Sequence, residues 1–86
     1  MYVHIGSNRM IRSSQIVGVF DLDGEITTAD TKRFLRRVES DGHAELAGDD
    51  LPRSFVVTSE NSGGEKHDGV IYTRLTTQAV AQRAKK

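Results

Sequence analysis

The spacing of hydrophobic and polar residues predicts several short strands in the first quarter of the chain. Weak alternation favours strands over residues 2–5 and 9–12, separated by a turn at residues 6–8. Residues 15–22 are mostly β-branched and apolar, which predicts a longer strand. Gly18 inside this run indicates a bulge or a close backbone approach.

The middle of the chain carries the spacing of an amphipathic helix. Thr27 or Thr28 can cap its N-terminus, and Gly42 suits the position just beyond a C-terminus at Ser40 or Asp41. At about 100° per residue, apolar and basic side chains fall on opposite faces. The inward face holds Phe34, Leu35 and Val38, and the outward face holds Lys32, Arg33, Arg36 and Arg37.

The second half of the chain predicts a hairpin followed by a short helix. Residues 43–53 are expected to form a polar loop, and residues 54–60 a strand. A glycine-rich loop over residues 61–69 leads to a returning strand over residues 70–75. A helix capped by Thr76 or Thr77 follows, with Val80 facing inward. The predicted fold is α+β, a single domain over residues 1–86 with a small, mostly antiparallel sheet, one central helix and a short C-terminal helix.

The size and composition of the chain restrict the classes of function that it can have. A chain of 86 residues buries a modest core, and oligomerisation commonly adds buried area. There is no cysteine, no apolar run approaches the ~20 residues of a membrane span, and residues 1–4 lack the features of a signal peptide. We therefore expect a cytoplasmic protein with no membrane partner. The 12 basic and 12 acidic residues balance, which argues against coating nucleic acid by bulk charge.

One motif points to an enzyme. Residues 16–24 resemble the first motif of the haloacid-dehalogenase-type phosphatases, with Asp21 as nucleophile, Asp23 as acid and base, and magnesium as the cofactor. Lys66 could supply the cation of such a site. Two features argue against this reading: Glu25 stands where that family usually has threonine, and an antiparallel hairpin is not the parallel sheet with crossover helices that it needs. The phosphatase therefore remains a distant alternative, and the protein is predicted not to be an enzyme.

Other candidate sites are weaker. The acidic residues 21–25 do not continue with the spacing of a calcium loop. His4, His43 and His67 are scattered, so solvated or hydrogen-bonded histidines are expected, with no metal and no cofactor. The basic face of the central helix is either a solvated stripe or a surface that contacts phosphate.

The order of elements and several short motifs resemble a known family. The motifs are His4-Ile5-Gly6, the strand over residues 15–20, Arg53-Ser-Phe-Val-Val and the ending Val80-Ala-Gln-Arg. Together they resemble the RemA/RemB family of bacterial extracellular-matrix (biofilm) regulators along nearly the whole chain. The opening residues 1–6 and the acidic residue after Phe20 are closer to the RemB branch.

The resemblance implies a small protein that assembles into rings, binds double-stranded DNA and activates matrix genes. The RemA branch has an arginine-rich stretch where this chain has residues 49–53, and only Arg53 matches it; that branch also tends to have arginine at the position of Gln15. The candidate nucleic-acid-binding residues are Arg53, Arg12, Gln15 and Arg9. The alternative is an oligomeric structural or interaction protein that has lost DNA contact.

Overall fold

The computed structural model describes residues 1–6, 9–22, 28–48 and 51–84. Predictions that concern Ser7, Asn8, Asp23, Gly24, Glu25, Thr27, Asp49 and Asp50 lie outside the described residues. The described elements, in chain order, are β1 (Tyr2–His4), β2 (Met10–Arg12), a 3-10 turn (Ser13–Gln15), β3 (Ile16–Asp21), α1 (Ala29–Ser40), β4 (Ala44–Ala47), β5 (Ser54–Ser62), β6 (Glu65–Thr73) and α2 (Thr77–Ala84).

The strands form two sheets. β1 and β2 form an antiparallel pair, and the other four strands form a sheet in the order β3-β5-β6-β4. β5 pairs antiparallel with both β3 and β6, and β4 pairs parallel with β6. The predicted α+β class, with a mostly antiparallel sheet, one central helix and a short C-terminal helix, is confirmed.

β3 forms where the β-branched run predicts it. Ile16 lies opposite Thr58, but Gly18 lies opposite Val57, so the register shifts at the expected bulge. A Cβ on Gly18 would lie 2.9 Å from the ring of Phe20, which shows why the position holds glycine. That ring stacks on Phe55 with the centroids 5.3 Å apart, so it is not free to move away.

The prediction of a polar loop over residues 43–53 is wrong in its first part, because β4 occupies Ala44–Ala47. Its sequence, Ala-Glu-Leu-Ala, has weak strand propensity. Backbone pairing with β6, from Ala44 opposite Val70 to Ala47 opposite Thr73, imposes the strand, and the side chain of Ala47 is buried.

The glycine-rich loop predicted over residues 61–69 is much shorter in the structure. β5 continues to Ser62 and β6 begins at Glu65, so the turn itself is Gly63 and Gly64. Both glycines have positive φ, as a two-residue type I′ turn requires. Residues 59–62 pair with residues 65–68 beyond the reach of β3 and β4, and we call residues 59–68 the β5–β6 arm.

Both helices begin at caps that the sequence predicts. The Thr28 hydroxyl accepts a hydrogen bond from the Thr31 backbone N–H, and Gly42 has the positive φ of a residue just past a helix end. The Thr76 hydroxyl accepts from the Ala79 backbone N–H at the start of α2. Local side chains therefore fix where each helix starts.

The sheet has an apolar layer on each face. One cluster of buried side chains lies beneath α1 and contains Val38, Phe55 and Val70. The other lies beneath the β1–β2 pair and α2, and contains Val3, Ile5, Ile11, Ala47, Val56, Ile71 and Val80. Neighbouring residues of β5 and β6 enter opposite clusters because successive strand side chains point to opposite faces.

Candidate nucleic-acid interface

Three of the four predicted DNA-contacting residues lie at one end of the sheet. Arg12 and Gln15 line a cleft of about 470 Å³ together with Tyr2, Met10 and Glu60. Arg9 and Gln15 line a second cleft next to it. The fold thus brings Arg9, Arg12 and Gln15 together, as a phosphate-binding patch would need.

Arg9 is engaged by a carboxylate from its own chain. Its Nε donates to Glu45 Oε2 at 2.6 Å, and its Nη2 donates to Glu45 Oε1 at 2.9 Å. This bidentate pair, followed by the charges of Glu45 and Glu60, raises the pKa of Arg9 above its ordinary value. Its positive charge is permanent, but the guanidinium N–H groups that would bind a phosphate already donate to Glu45.

Arg12 and Gln15 are held differently. The Gln15 Oε1 accepts a hydrogen bond of 3.1 Å from the Arg12 backbone N–H, which fixes the 3-10 turn between them. The Arg12 side chain is exposed. Interaction with Tyr2, and less strongly with Glu60, raises its pKa above the ordinary value. Gln15 therefore has a structural role, and Arg12 extends a charged group into solvent.

Arg53 lies at the other end of the sheet. Its backbone N–H donates to the Thr73 carbonyl at 2.8 Å, and its carbonyl accepts from the Leu22 N–H at 2.9 Å. The side chain is exposed and lines a cleft of about 170 Å³ with Asp21, Thr76 and Thr77. A fixed backbone thus carries an exposed guanidinium beside the first residues of α2.

The register of β3 against β5 separates the two ends. Asp21 lies opposite Ser54, which follows Arg53, whereas Ile16, which follows Gln15, lies opposite Thr58. At about 3.3 Å per residue, Arg53 and Gln15 are about 15–20 Å apart. One copy of the chain therefore does not cluster Arg53 with the other three residues.

The structure does not bring together the residues that the phosphatase alternative needs. Asp21 ends an edge strand that pairs antiparallel with β5. Lys66, the cation which that mechanism would use, pairs with Asn61 in the β5–β6 arm, about 20 Å along β5 from Ser54 and Asp21. The nucleophile and the cation thus lie at opposite ends of the sheet.

The histidines do not form a metal site with other ligands in the described residues. His43 and His67 meet edge to face with their centroids 5.7 Å apart, while His4 contacts Arg83. No group of three or more potential ligands within residues 1–6, 9–22, 28–48 and 51–84 is placed to hold a metal ion. Among the same residues, no helix is long and apolar enough to cross a membrane.

Two features of this interface escape prediction from the sequence. Glu45 neutralises Arg9 from 36 residues away, and Glu60 approaches through the β5–β6 arm. Thr76 and Thr77 were expected only to cap a helix, yet they also line the cleft of Arg53. No local pattern signals either arrangement, because each depends on how distant strands pair.

Comparison with known proteins relates the chain to a bacterial regulatory protein. No protein-family model matches the chain. The chain is 26% identical, over 84 residues, to Extracellular matrix regulatory protein B of Bacillus subtilis (strain 168). The aligned part covers 98% of this chain and 90% of that protein. Along nearly its whole length, the chain is therefore similar to the RemA/RemB family of bacterial extracellular-matrix regulators, which confirms the resemblance that its motifs predict.

Proposed function

We propose that this chain is a non-enzymatic, cytoplasmic regulator of extracellular-matrix formation that binds double-stranded DNA as a homo-oligomer and needs no cofactor. The observation that carries the proposal is the similarity to an extracellular matrix regulatory protein over 98% of the chain. A match of this extent leaves no room for a separate catalytic domain within these 86 residues. Function then depends on what the surface of this one small domain can bind.

Arg53 is the first candidate for contact with phosphate. Its guanidinium is exposed, and both backbone hydrogen bonds of the residue are made within the chain. Arginine binds phosphate through two parallel hydrogen bonds, and the beginning of a helix favours an anion nearby. Asp21 lines the same cleft and opposes an anion there, so a single Arg53 cleft gives only weak binding.

Arg12 is the second candidate, and Arg9 contributes less. Arg12 is exposed, whereas the Arg9 guanidinium is occupied by Glu45. Gln15 holds the Arg12 backbone and thereby positions that side chain. The order of importance for DNA affinity is therefore Arg53 and Arg12, then Gln15, then Arg9.

Repetition of these residues around an assembly makes weak contacts effective. A second contact on the same particle acts at a high effective concentration, so its contribution adds to the first. Each phosphate neutralised also releases counterions and makes binding more sensitive to salt. In a ring, the Arg53 end of one copy can lie near the Arg12 end of the next and form a continuous rim.

The proposal is tested by titrating a labelled duplex with protein at low and moderate salt and following fluorescence anisotropy. We expect Arg53→Ala and Arg12→Ala each to weaken binding by about fivefold to a hundredfold and to flatten the dependence of log affinity on log salt. Lys66→Ala is the charge-matched control, since it removes one exposed cation from the β5–β6 arm. Unchanged affinity and salt slope in both arginine variants would remove these residues from the interface.

The pairing of Arg9 with Glu45 gives a second test. Replacing both residues by alanine removes one positive and one negative charge together, so the net charge stays the same. We expect the double variant to bind DNA within about twofold of the unmodified protein, because the pair offers little net charge to a phosphate. A large loss of DNA affinity in the double variant would mean that Arg9 dissociates from Glu45 and binds DNA.

One observation favours a second candidate function, an oligomeric interaction protein without DNA binding. The stretch that is arginine-rich in the RemA branch holds Asp49 and Asp50 here, and Glu45 occupies Arg9. These carboxylates oppose phosphate. An oligomer that leaves duplex anisotropy unchanged even at low salt would establish this second candidate instead.

A further inference from the structure

Opposite charges are concentrated on two separate surfaces of the molecule. The exposed face of α1, here called the basic face, carries two carboxylates, Asp30 and Glu39, and four cations, at Lys32, Arg33, Arg36 and Arg37. The β5–β6 arm carries three carboxylates, at Glu60, Glu65 and Asp68, and a single ammonium, at Lys66. The chain as a whole has no net charge, so the acidic and basic surfaces arise from where the charged residues lie in the fold.

The basic face is only partly neutralised within the chain. Arg33 lies 3.5 Å from Asp30, but both side chains are largely exposed, at 77% and 90%. Arg37 reaches Asp68 of the arm at 4.0 Å. Within the described residues no ion pair engages Lys32 or Arg36, which lie one helical turn apart on the same side of α1.

The three carboxylates of the arm are exposed, although Glu60 also lines the cleft of Arg12 and Asp68 approaches Arg37. Residues 59–68 pair only with one another among the described strands, so both outer edges of the arm are open. Glu65, next to the turn, is 79% exposed, and its Oε2 lies 3.8 Å from Nε2 of His67. No large aliphatic or aromatic residue lies between Ser59 and Asp68, and the arm is therefore suited to a polar or charged partner.

The two surfaces cannot neutralise each other fully within one molecule. α1 crosses the sheet: Asp30 and Thr31 near its start line a cleft with Val17 and Phe20 of β3, whereas Arg37 near its end lies 4.0 Å from Asp68 of β6. The arm is formed by β5 and β6, so only the end of the helix lies beside it. Within the described residues, Arg37 pairs with Asp68 at the base of the arm, and no ion pair joins Lys32 to the arm.

We propose that the acidic β5–β6 arm of one copy lies on the basic face of α1 of a second copy. The inference rests on the proposed assembly and deepens it by naming the two surfaces that meet. Charge complementarity carries it: each copy offers one acidic and one basic surface, and the pair Arg37–Asp68 is already a contact of this type within one chain.

A second copy of the chain is a better partner for the basic face of α1 than DNA is. A chain with no net charge and an acidic arm gains little from bringing its whole surface to a polyanion. Exposed ion pairs are individually weak, each changing an equilibrium constant by less than about fivefold. Several acting together set the orientation of the partners and make their association sensitive to salt.

Charge reversal on each surface tests the contact. The helix variant is Lys32→Glu with Arg36→Glu, and the arm variant is Glu65→Lys with Asp68→Lys. Mass is measured by light scattering at low salt for each variant alone and for an equimolar mixture of the two. We expect each variant alone to associate about tenfold or more weakly than the unmodified protein, and the mixture to recover association, because opposite charges face each other again.

Gln78→Glu with Gln82→Glu is the control for adding two carboxylates, since it places them one turn apart on the exposed side of α2. The control is expected to keep the mass of the unmodified protein. The proposed contact would be contradicted if the mixture failed to recover association. It would also be contradicted if neither charge reversal weakened assembly, although the proposed oligomer would then remain supported. Loss of DNA affinity in the helix variant at unchanged mass would assign the basic face to DNA instead. An unmodified protein that is monomeric would remove both proposals.

Discussion

Single buried hydroxyl groups connect the layers of this small protein. The Thr73 hydroxyl donates to the Ile5 carbonyl at 2.6 Å and accepts from the Leu75 backbone N–H at 3.2 Å. The Ser54 hydroxyl donates to the Leu75 carbonyl. Both side chains are fully buried, so these bonds join the main sheet to β1 and to the segment before α2 without exposure to water.

Replacing Thr73 by valine tests this connection. The substitution keeps the shape of the side chain but leaves the Ile5 carbonyl and the Leu75 N–H without their partner. We expect the free energy of unfolding in urea to fall by about 2 kcal/mol, because buried polar groups that lose their partners are costly. Thr73→Ser keeps the hydroxyl and is expected to lose only about 1 kcal/mol. Equal stability of Thr73→Val and the unmodified protein would contradict this role.

Tyr72 provides a test by pH. Its hydroxyl donates to Glu39 Oε1 at 3.1 Å, and burial, then this bond and the Glu39 charge, raise the pKa of Tyr72 to about 12. An unfolded tyrosine has a pKa of about 10. The folded state therefore holds the proton more tightly, and the stabilisation is complete below about pH 10 and lost as the pH rises toward 12.

Ultraviolet absorbance during an alkaline titration measures this ionisation. We expect the transition of Tyr72 near pH 12 to disappear in Tyr72→Phe and to move to lower pH in Glu39→Gln. Urea unfolding should show that the loss of stability between about pH 10 and 12 is smaller in Tyr72→Phe. An unchanged titration in Glu39→Gln would show that Glu39 does not act on Tyr72.

At the scale of elements, the two-residue turn of the β5–β6 arm depends on its backbone. Gly63 and Gly64 have φ of 59° and 84°, and a Cβ on either would meet no atom within 4 Å. The cost of a side chain there is therefore conformational alone. We expect Gly64→Val to destabilise the arm by about 1–2 kcal/mol, measured by amide hydrogen exchange of residues 59–68.

Gly63→Asn is the control for this turn, because asparagine tolerates positive φ in type I′ hairpins. Exchange in the arm should then change by less than about 0.5 kcal/mol. If Gly64→Val leaves exchange in the arm unaltered, the turn does not require a left-handed backbone.

Elements whose signals are local can be predicted from the sequence. Thr28 and Gly42 mark the two ends of α1, and the β-branched run with Gly18 predicts β3 and its bulge. β4 and the arm cannot be predicted in the same way. Alanine, glutamate and leucine in β4 have weak strand propensity, and the arm is rich in glycine and polar residues. Backbone pairing with β6 makes β4 a strand, and pairing of residues 59–62 with 65–68 extends the hairpin into the region expected to be a loop.

The same limit applies to the candidate interface. The sequence indicates which arginines are available, but the state of each depends on distant residues: Glu45 occupies Arg9, and strand register places Arg53 at the far end of the sheet from Arg12. The pairing of strands across the sheet determines how far apart these residues lie. The sequence therefore yields candidate residues, and the fold determines how they are arranged.

At the scale of the whole molecule, the sheet is covered on both faces, and the candidate DNA-contacting arginines lie at its two opposite ends. In the proposed function, a single copy would offer one or two phosphate contacts at each end, too few for tight binding. The proposed account therefore requires several copies on one DNA, with the arginines of neighbouring copies acting together.

Sedimentation velocity of a labelled duplex with increasing protein at low salt tests this requirement most directly, because it reports how many copies travel with one DNA. We expect the duplex to move in one step to a species carrying several copies, and to return to its free sedimentation rate as salt is raised. A duplex that never shifts, or that carries single copies added one at a time without cooperation, would contradict the account.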